Sequence, residues 1–501
     1  MDGNVNSANL TKKDVRATTA EKLKGMLRDI DNASAAGAKN GFCARSRIET
    51  LFDAGTFAEM GAYVRRKNNE NEFEGVICGY GAVNGKLVFA FSQDSSRMKG
   101  AFDEMHAKKL ADLYNAAIKN GAPVVGIFDS CGVIVYDGVS ALAGYGLLMK
   151  CVSDASGVIP QIAVIPSVCA GSAATVSAMF DAVITVKDKT SLYVNSPFLL
   201  GDKTATAEYA SENGMSAITA ADEYEAYAKA RLLVDMLPSN NAEGIVEIEM
   251  NDDLNRKVDV KSIVSGADYD MKDVLGLIGD GCKFVELYAD YAKEMIVGLA
   301  SFGGIVCGVV ANQPNTLGGA LTAKAARKAA KLVSMCDSFG VPVVTLVDSK
   351  GLDVAEDSQN APYAAELAKL AMAYTTSENA KVTVVIGKAY GAAYTLMGSK
   401  SIGADIALAL DSAAISVLPP ESAVAFVWND KVGGSDPKAA REELEAQWKE
   451  MCASPVDAAE KGEIDDIIDG AELRQRICAS ISMLASKSET YPDRRHVVAP
   501  L

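Results

Sequence analysis

The sequence predicts an α/β fold that occurs twice, in two homologous domains. Apolar runs of strand length alternate with longer runs in which apolar residues recur at helical spacing, which is typical of α/β architecture. The segment Gly121–Ser130 matches Gly340–Ser349, and Pro123 stands where the second segment has Pro342. Because one register holds through strand, helix, strand and turn, we infer an internal duplication.

The predicted domain boundary lies at the turn-rich segment Pro238–Asn241. It gives an N-terminal domain of residues 1–241 and a C-terminal domain of residues 242–501. With 49% hydrophobic and 23% charged residues, the chain has enough apolar side chains for a core in each domain.

Each predicted element of the first domain follows from a local pattern. Asn84-Gly85 between two apolar runs is a hairpin signal, and Gly121 directly after a helical pattern is a helix-end signal. The segment Ser191–Met215 has no clear period. The expected elements are strands Gly75–Tyr80 and Lys86–Phe91, helix His106–Asn120, strand Val124–Phe128, helix Ser140–Val152, strands Gln161–Ile165 and Asp181–Val186, and helix Asp222–Leu237.

The second domain repeats this scheme and adds two helices at its end. Its apolar runs again have strand length and are separated by helical spacing. The expected elements are strand Ile305–Val310, helix Leu321–Phe339, strand Val343–Val347, helix Ala361–Tyr374, strand Val382–Ile386, helix Tyr394–Lys400, strand Ile406–Leu410, and helices Ala439–Met451 and Glu472–Ser486.

Composition and charge exclude several classes of function. A formal net charge of −16 opposes nonspecific binding to nucleic acid or to an anionic membrane surface. The ten cysteines include no CxxC pair, which favours reduced thiols in a cytoplasmic protein and no metal site. The uncharged stretch Ala155–Phe180 is long enough to cross a bilayer, but Pro160 and Pro166 interrupt it. We interpret it as strand, turn and buried helix.

Side chains that commonly carry catalysis are scarce. The two histidines, His106 and His496, have no neighbours at metal-ligand spacing, and we interpret both as structural or solvent-facing. The sequence contains no GxSxG, HExxH or P-loop pattern and no GxGxxG after a strand, which disfavours nucleotide hydrolysis and hydride transfer. Backbone amides remain as the candidate functional groups.

Two small-residue turns at matching places are the candidate site. They are Val168–Ala174 and Lys388–Tyr394, each between an apolar strand pattern and a helical pattern. Such a turn leaves N–H groups uncovered at a helix N-terminus, where an oxyanion or enolate can be held. The alternative is that glycine and alanine only allow close packing of helix on strand. The turns after Asp129 and Asp348 lie at strand ends, where open α/β folds bind ligands.

Sequence blocks in both halves match one known family. These blocks are Ser92–Asp94, Gly121–Ser130, Ser156–Ile162, Tyr269–Met271, Val309–Pro314, Lys388–Tyr394 and Ile464–Ile468. Through them the chain resembles, over nearly its whole length, the carboxyltransferase family of biotin-dependent acyl-CoA carboxylases and decarboxylases. That family includes propionyl-CoA carboxylase β chains and methylmalonyl-CoA decarboxylase α subunits.

The resemblance implies two crotonase-like domains of the ββα spiral type. It implies an active site that combines the N-terminal domain of one subunit with the C-terminal domain of another. Gly171 and Ser172 would hold the acyl-CoA thioester oxygen, and Ala392 and Ala393 the ureido oxygen of biotin. Biotin then serves as the base, which agrees with the lack of a catalytic histidine. Substrate contacts are implied for Ser130, Cys131, Gly132, Ala170, Gly391 and Thr395, and no metal is implied.

The chain departs from the family pattern at some of these positions. Cys131 and the residues after it replace the Gly-Gly-Ala-Arg sequence that is usual after the first serine. Ser172 and Ala392 stand where glycine is usual. Serine and alanine keep the backbone N–H, so we expect the oxyanion function to survive wherever φ and ψ allow these residues.

We therefore expect a carboxyltransferase that acts between biotin on a separate carrier protein and a short-chain acyl-CoA of the propionyl, methylmalonyl, acetyl or malonyl type. The implied partners are a biotin carboxyl carrier protein, and a biotin carboxylase subunit or a sodium-pump membrane subunit. Further copies of the chain would form a dimer-based hexamer in the cytoplasm, at the periphery of a membrane complex where the partner is a membrane subunit. Two alternatives stay open: a biotin-independent crotonase-type acyl-CoA enzyme, and a non-catalytic scaffold of a carboxylase complex.

Overall fold

A computed structural model describes residues 12–38, 41–66, 69–266, 268–355, 362–433, 436–489, 498 and 500. The chain divides into two compact units. The N-unit consists of Met1–Ala207 and Thr219–Asp235, and the C-unit of Glu208–Ile218 and Met236–Leu501. The short segment Glu208–Ile218 therefore belongs to the C-unit, although Thr219–Asp235, which follows it, belongs to the N-unit. The division of the sequence at residue 241 stays a prediction.

Residues 12–236 form a mixed sheet with helices. The strands are β1 (Ala58–Met60), β2 (Arg65–Arg66), β3 (Asn69–Phe73), β4 (Val76–Val83), β5 (Lys86–Gln93), β6 (Val124–Ile127), β7 (Gln161–Ile165), β8 (Val168–Ala170), β9 (Ala182–Val186), β10 (Ser191–Tyr193) and β11 (Ile218–Ala220). The helices are α1 (Lys12–Gly37), α2 (Ala44–Leu51), α3 (Glu104–Asn120), α4 (Val139–Ala155), α5 (Ser172–Ala178), α6 (Pro197–Leu200), α7 (Ala207–Glu212) and α8 (Glu223–Met236). Seven strands form one sheet in the order β1-β4-β5-β6-β7-β9-β11, and β8 pairs with β10 beside it.

The C-unit has the same kind of sheet. Its strands are β12 (Phe284–Leu287), β13 (Met295–Phe302), β14 (Ile305–Asn312), β15 (Val343–Ser349), β16 (Lys381–Tyr390), β17 (Ile406–Leu410), β18 (Ala414–Ser416) and β19 (Asp466–Ile468). Its helices are α9 (Val260–Val264), α10 (Met271–Ile278), α11 (Ala323–Ser338), α12 (Tyr363–Thr376), α13 (Ala392–Leu396), α14 (Pro420–Val427), α15 (Pro437–Cys452), α16 (Pro455–Glu460) and α17 (Leu473–Leu484). The strand order is β12-β13-β14-β15-β16-β17-β19, with β18 paired to β16.

The predicted duplication is visible in the backbone. Each unit has an antiparallel hairpin, β4–β5 or β13–β14, followed by parallel pairing of the next strands. Met98, Lys99 and Gly100 have φ of 49°, 55° and 67°, and their equivalents 317–319 have 52°, 62° and 64°. Three consecutive positive φ values are rare, so their occurrence at matching places marks one ancestral loop used twice.

Glycine is required at the end of each of these loops. A Cβ on Gly100 would lie 2.0 Å from the carbonyl oxygen of Asp129, and a Cβ on Gly319 would lie 2.2 Å from that of Asp348. The loop thus packs directly on the strand end that leads to the candidate site in each unit.

Most predicted elements are confirmed, and one helix is wrong in its bounds. The structure has strands at Gln161–Ile165 and Ile406–Leu410, as the sequence predicts. The stretch Ala155–Phe180 forms strands β7 and β8 and helix α5, and none of the described helices combines the length and apolarity needed to cross a membrane. The helix predicted at Tyr394–Lys400 instead occupies Ala392–Leu396, because Gly391 turns the chain directly into it and Gly398, with φ of 71°, lies just beyond its end.

The buried strands account for the stability of both sheets. All residues of β13, β14 and β15 are buried, as are those of β6, β7 and β9. The continuous apolar runs seen in the sequence are therefore strands covered on both faces, and removing their side chains from water is the main driving force for each unit.

Candidate active site

The turn at Gly171 joins β8 to α5. Gly171 has φ of 62° and ψ of −125°, a conformation that favours glycine. Its own amide donates to the carbonyl oxygen of Tyr193 at 2.8 Å. The next two amides, of Ser172 and Ala173, donate to no described residue. The first turn of α5 therefore leaves two adjacent N–H groups free to bind an oxygen with negative charge.

The turn at Gly391 repeats this arrangement between β16 and α13. Gly391 has φ of 61° and ψ of −148°, and its amide donates to the carbonyl oxygen of Ser416 at 2.9 Å. The amides of Ala392 and Ala393 have no acceptor among the described residues. Ala393 is fully buried, whereas Ala392 is exposed, so an incoming group can reach the first of the two amides.

A strand-end loop lies beside the Gly171 turn. Ser130 donates its amide to the carbonyl of Val168 at 2.7 Å and accepts the amide of Ala170 at 3.1 Å. Its hydroxyl accepts the amide of Gly132 at 3.2 Å. A Cβ on Gly132 would lie 3.9 Å from the carbonyl oxygen of Ala170. The structure thus brings the predicted loop and the predicted turn of the N-unit together.

The C-unit has the same loop beside the Gly391 turn. The hydroxyl of Ser349 accepts the amide of Gly351 at 3.2 Å. A Cβ on Gly351 would lie 3.5 Å from the carbonyl oxygen of Tyr390, the residue before the turn glycine. The sequence predicts a ligand-binding strand end after Asp348 as well as after Asp129, but only the N-unit loop has named substrate contacts among the predicted site residues, although the Asp-Ser-x-Gly pattern is repeated.

The remaining predicted site residues lie next to these turns. Cys131, between Ser130 and Gly132, is exposed and has its amide bonded to the carbonyl of Lys99 at 3.1 Å. Thr395 is exposed on α13. Both are thus open to a ligand that reaches the adjacent turn.

Each unit places a buried aspartate at the strand end, but the partners differ. Asp129 accepts Nη1 of Arg47 at 2.6 Å and the hydroxyl of Ser95 at 2.7 Å. Asp348 accepts the hydroxyl of Tyr269 at 2.7 Å and the amide of Lys388 at 2.9 Å. Burial raises the pKa of Asp348 despite these two donors.

The histidines take no part in the described turns. His106 is fully buried, with Nδ1 3.3 Å from the carboxylate of Glu74 and its ring against Phe102. His106 is therefore structural, as predicted, whereas His496 lies outside the described residues. Within the described ranges, no group of three or more His, Cys, Asp or Glu side chains could hold a metal ion.

Sequence reasoning missed the residues that fix the turn glycines. The carbonyls of Tyr193 and Ser416 occupy the glycine amides, and both residues lie on short strands, β10 and β18, that follow the turns at a distance. Tyr193 lies in Ser191–Met215, which has no period in the sequence, so no local signal pointed to its role. The chemistry available at each turn is the stabilisation of an oxyanion or enolate by two backbone amides.

Comparison with known proteins gives consistent results. Residues 36–499 match the family described as carboxyl transferase domain. The carboxyltransferase subunit of propionyl-CoA carboxylase from Haloferax mediterranei is 34% identical over 97% of this chain and 98% of its own length. Subunit alpha of methylmalonyl-CoA decarboxylase from Propionigenium modestum is 34% identical over 96% of each chain.

A solved structure extends the likeness to the fold. The crystal structure of transcarboxylase 12S, described as a hexamer assembly with methylmalonyl-coenzyme A and methylmalonic acid bound, superposes with a TM-score of 0.90 at 30% identity. The alignment covers 98% of this chain and 99% of that one. The predicted crotonase-like α/β fold with two sheet domains is confirmed.

Proposed function

The chain belongs to the carboxyl transferase domain family, and we propose that it moves a carboxyl group between biotin on a separate carrier protein and a short-chain acyl-CoA. The acyl-CoA class comprises propionyl- and methylmalonyl-CoA or acetyl- and malonyl-CoA. Carboxylation and decarboxylation are the two directions of this one transfer, and the proposal covers both.

One observation carries the proposal: each unit presents two adjacent backbone amides without an acceptor among the described residues. Transfer of a carboxyl group to or from an acyl α-carbon generates an enolate on the thioester. Two oxygens therefore need stabilisation, one on the thioester and one on the carboxyl carrier. A pair of equivalent turns supplies hydrogen-bond donors for both without any side-chain acid.

The N-unit turn is proposed as the thioester half-site. Gly171 supplies the left-handed conformation that starts α5, and its own amide is bonded to the carbonyl of Tyr193. The thioester oxygen would therefore be held by the amide of Ser172, as predicted, together with that of Ala173 rather than that of Gly171. Ser130, Cys131, Gly132 and Ala170 would line the acyl group. Cys131 is the only one of these with an exposed side chain, so it would shape the pocket most strongly.

The C-unit turn is proposed as the biotin half-site. Biotin, when its carrier delivers it, supplies the transferable carboxyl group. The residues present fit such a group, because the side chains of Ala392 and Ala393 are single methyl groups and the amide of Ala392 lies on an exposed residue. Gly391 sets the direction of these amides, and Thr395 would contact the acyl group from α13.

Partners and location follow from the same proposal. A biotin carboxyl carrier protein, together with a biotin carboxylase subunit or a sodium-pump membrane subunit, would complete the reaction. We propose a homo-oligomer of hexameric form, because transcarboxylase 12S is described as a hexamer assembly. We also propose a cytoplasmic location, because the cysteine pattern favours reduced thiols.

The test is the decarboxylation of malonyl-CoA and methylmalonyl-CoA by the purified chain, with and without free biotin. We expect loss of the carboxyl group that depends on biotin for at least one of the two thioesters. Turnover without biotin would contradict the proposal in favour of a crotonase-type acyl-CoA enzyme. Capture of a biotinylated partner together with no turnover of either thioester would identify a scaffold.

A further inference from the structure

Strand β16 changes both its register and its neighbour shortly before the Gly391 turn. It pairs with β15 up to Val347 and Val385, and the next pair is Ser349 with Ala389. On its other side, β16 pairs with β17 up to Val385 and with β18 from Lys388 onward. The strand therefore bulges at residues 386–388 and leaves the bulge in a new direction that leads into the turn.

The carboxylate of Asp348 fills this bulge. One oxygen accepts the amide of Lys388 at 2.9 Å, and the other accepts the hydroxyl of Tyr269 at 2.7 Å. A Cβ on Gly387 would lie 2.2 Å from the carboxylate, so the space beside the strand is occupied by Asp348 rather than by a side chain of β16. Asp348 is only 7% exposed.

We propose that Asp348, held by Tyr269, is the positioning residue of the C-unit turn and so of the half-site for biotin. This inference rests on the function proposed above. Lys388 is three positions before Gly391, and its amide donates to the carboxylate of Asp348 at 2.9 Å. By filling the bulge and accepting this amide, the carboxylate sets the direction in which the strand enters the turn, and hence the aim of the Ala392 and Ala393 amides.

The strength of this support comes from charge and burial. A hydrogen bond from an amide to an ionised carboxylate is roughly twice as strong as one between neutral groups. Without Asp348, the amide of Lys388 would lose this charge-assisted hydrogen bond and the bulge would lose the group that fills it, which is unfavourable. Tyr269, 8% exposed, fixes the carboxylate from the opposite side.

In the N-unit the strand-end aspartate contacts different groups, so substitutions at Tyr269 or Gly387 should affect the biotin half-site alone. Among the described residues, the carboxylate of Asp129 bonds to Arg47 and Ser95 and not to the strand that enters the Gly171 turn. That strand is fixed by main-chain hydrogen bonds of Ser130 with Val168 and Ala170. Weakening the hydrogen bonds of the Asp348 carboxylate should therefore leave the thioester half-site unchanged.

Hydrogen exchange on the full chain tests the positioning role without reference to activity. The variant Tyr269→Phe removes one hydroxyl, and Gly387→Ala adds a methyl group where the carboxylate lies. We expect peptides covering residues 382–397 to exchange about tenfold faster in both variants, which corresponds to a local loss of about 1.4 kcal/mol.

Tyr374→Phe is the matched control for this experiment. Tyr374 is also a buried tyrosine of the C-unit, and its hydroxyl lies 2.8 Å from that of Thr345 on β15. If Tyr269→Phe changes exchange at 382–397 no more than Tyr374→Phe does, the positioning role is wrong.

Steady-state kinetics with free biotin and a CoA thioester test the link to function. In Tyr269→Phe we expect the KM for free biotin to rise about tenfold, with the KM for the thioester within twofold of the parent value. An equal rise in both constants, or faster exchange with an unchanged KM for biotin, overturns the proposal. If the parent chain turns over no thioester, the proposed function fails, and the exchange result still decides whether Asp348 positions the turn.

Discussion

The turns at Gly171 and Gly391 share a backbone and differ in the side chains that support them. In both, the glycine amide is bonded to a carbonyl on a short neighbouring strand, and two amides follow without an acceptor among the described residues. Behind the turns, Asp129 is held by a buried arginine, whereas Asp348 is held by a tyrosine and a main-chain amide.

This difference shows that the two units share the main-chain path of the turn but not the side chains that support it. The oxyanion donors are backbone groups, so their geometry persists as long as the chain follows the same path. The supporting side chains can change because an ion pair and a neutral hydroxyl can each satisfy a buried carboxylate. Replacing the supporting side chain should therefore lower the free energy of unfolding by a different amount in each unit.

The largest effect is expected for Arg47→Met in the N-unit. Arg47 also pairs with Glu223 at 3.0 Å, and its side chain is 7% exposed. Its loss leaves two buried carboxylates without a cation, which should lower the free energy of unfolding by about 3–5 kcal/mol. Chemical denaturation measures this.

Tyr269→Phe is the C-unit counterpart of that substitution. It removes a neutral hydroxyl donor to Asp348 but breaks no ion pair. We therefore expect the free energy of unfolding to fall by about 1.5–3 kcal/mol. If Tyr269→Phe destabilises the protein as much as Arg47→Met, the two supports are energetically equivalent and the distinction between them is wrong.

Among the effects on catalysis, the largest is expected for proline at the first residue of either turn helix. Ser172→Pro and Ala392→Pro each remove one free amide at a helix position that tolerates proline. Loss of one oxyanion donor lowers kcat by about 10²–10³-fold, and we expect a similar loss from both variants in the biotin-dependent assay.

Ser172→Ala and Ala392→Ser are the matched controls because they change the side chain and keep the N–H. If kcat falls as much in these variants as in the proline variants, the side chain rather than the amide is responsible for the effect. A loss in only one of the two proline variants would break the proposed equivalence of the turns. Circular dichroism of all four variants checks that the fold is retained.

The smallest effect concerns a buried lysine of the C-unit. Lys328 donates to the carbonyl of Tyr291 at 2.7 Å, and burial lowers its pKa from 10.5 to about 8. Between these two values the unfolded chain binds more protons at this group than the folded chain, so its contribution to stability rises with pH. Between pH 8 and pH 9, the stability of the parent relative to Lys328→Met should increase by about 1 kcal/mol.

The measurement is chemical denaturation of both proteins at the two pH values. A stability difference that stays constant or falls as the pH rises would show that Lys328 is protonated throughout. Lys109 is the matching residue of the N-unit and also donates to a main-chain carbonyl, that of Val76. The duplication therefore extends to this buried lysine and to the type of its acceptor.

Much of the fold could be predicted because its signals are local. Strands such as Gln161–Ile165 and Ile406–Leu410 are continuous apolar runs, and the offset between the halves is plain in the sequence. The helix after Gly391 was misplaced because its start depends on a positive φ at one residue rather than on apolar spacing. The supports of Asp129 and Asp348 could not be predicted, because Arg47 and Tyr269 are about eighty residues away in sequence.

The sequence by itself determined the α/β class, the duplication, the family and the two small-residue turns, since each of these is recorded in runs of neighbouring residues. Tertiary structure alone decided which amides remain free. The amides of Gly171 and Gly391 are bonded to carbonyls of strands β10 and β18, and the next two in each turn are not. Tertiary structure also decided that a carboxylate fills the bulge of β16. Hydrogen bonds between distant segments depend on where the folded chain brings them, and no local pattern encodes that position.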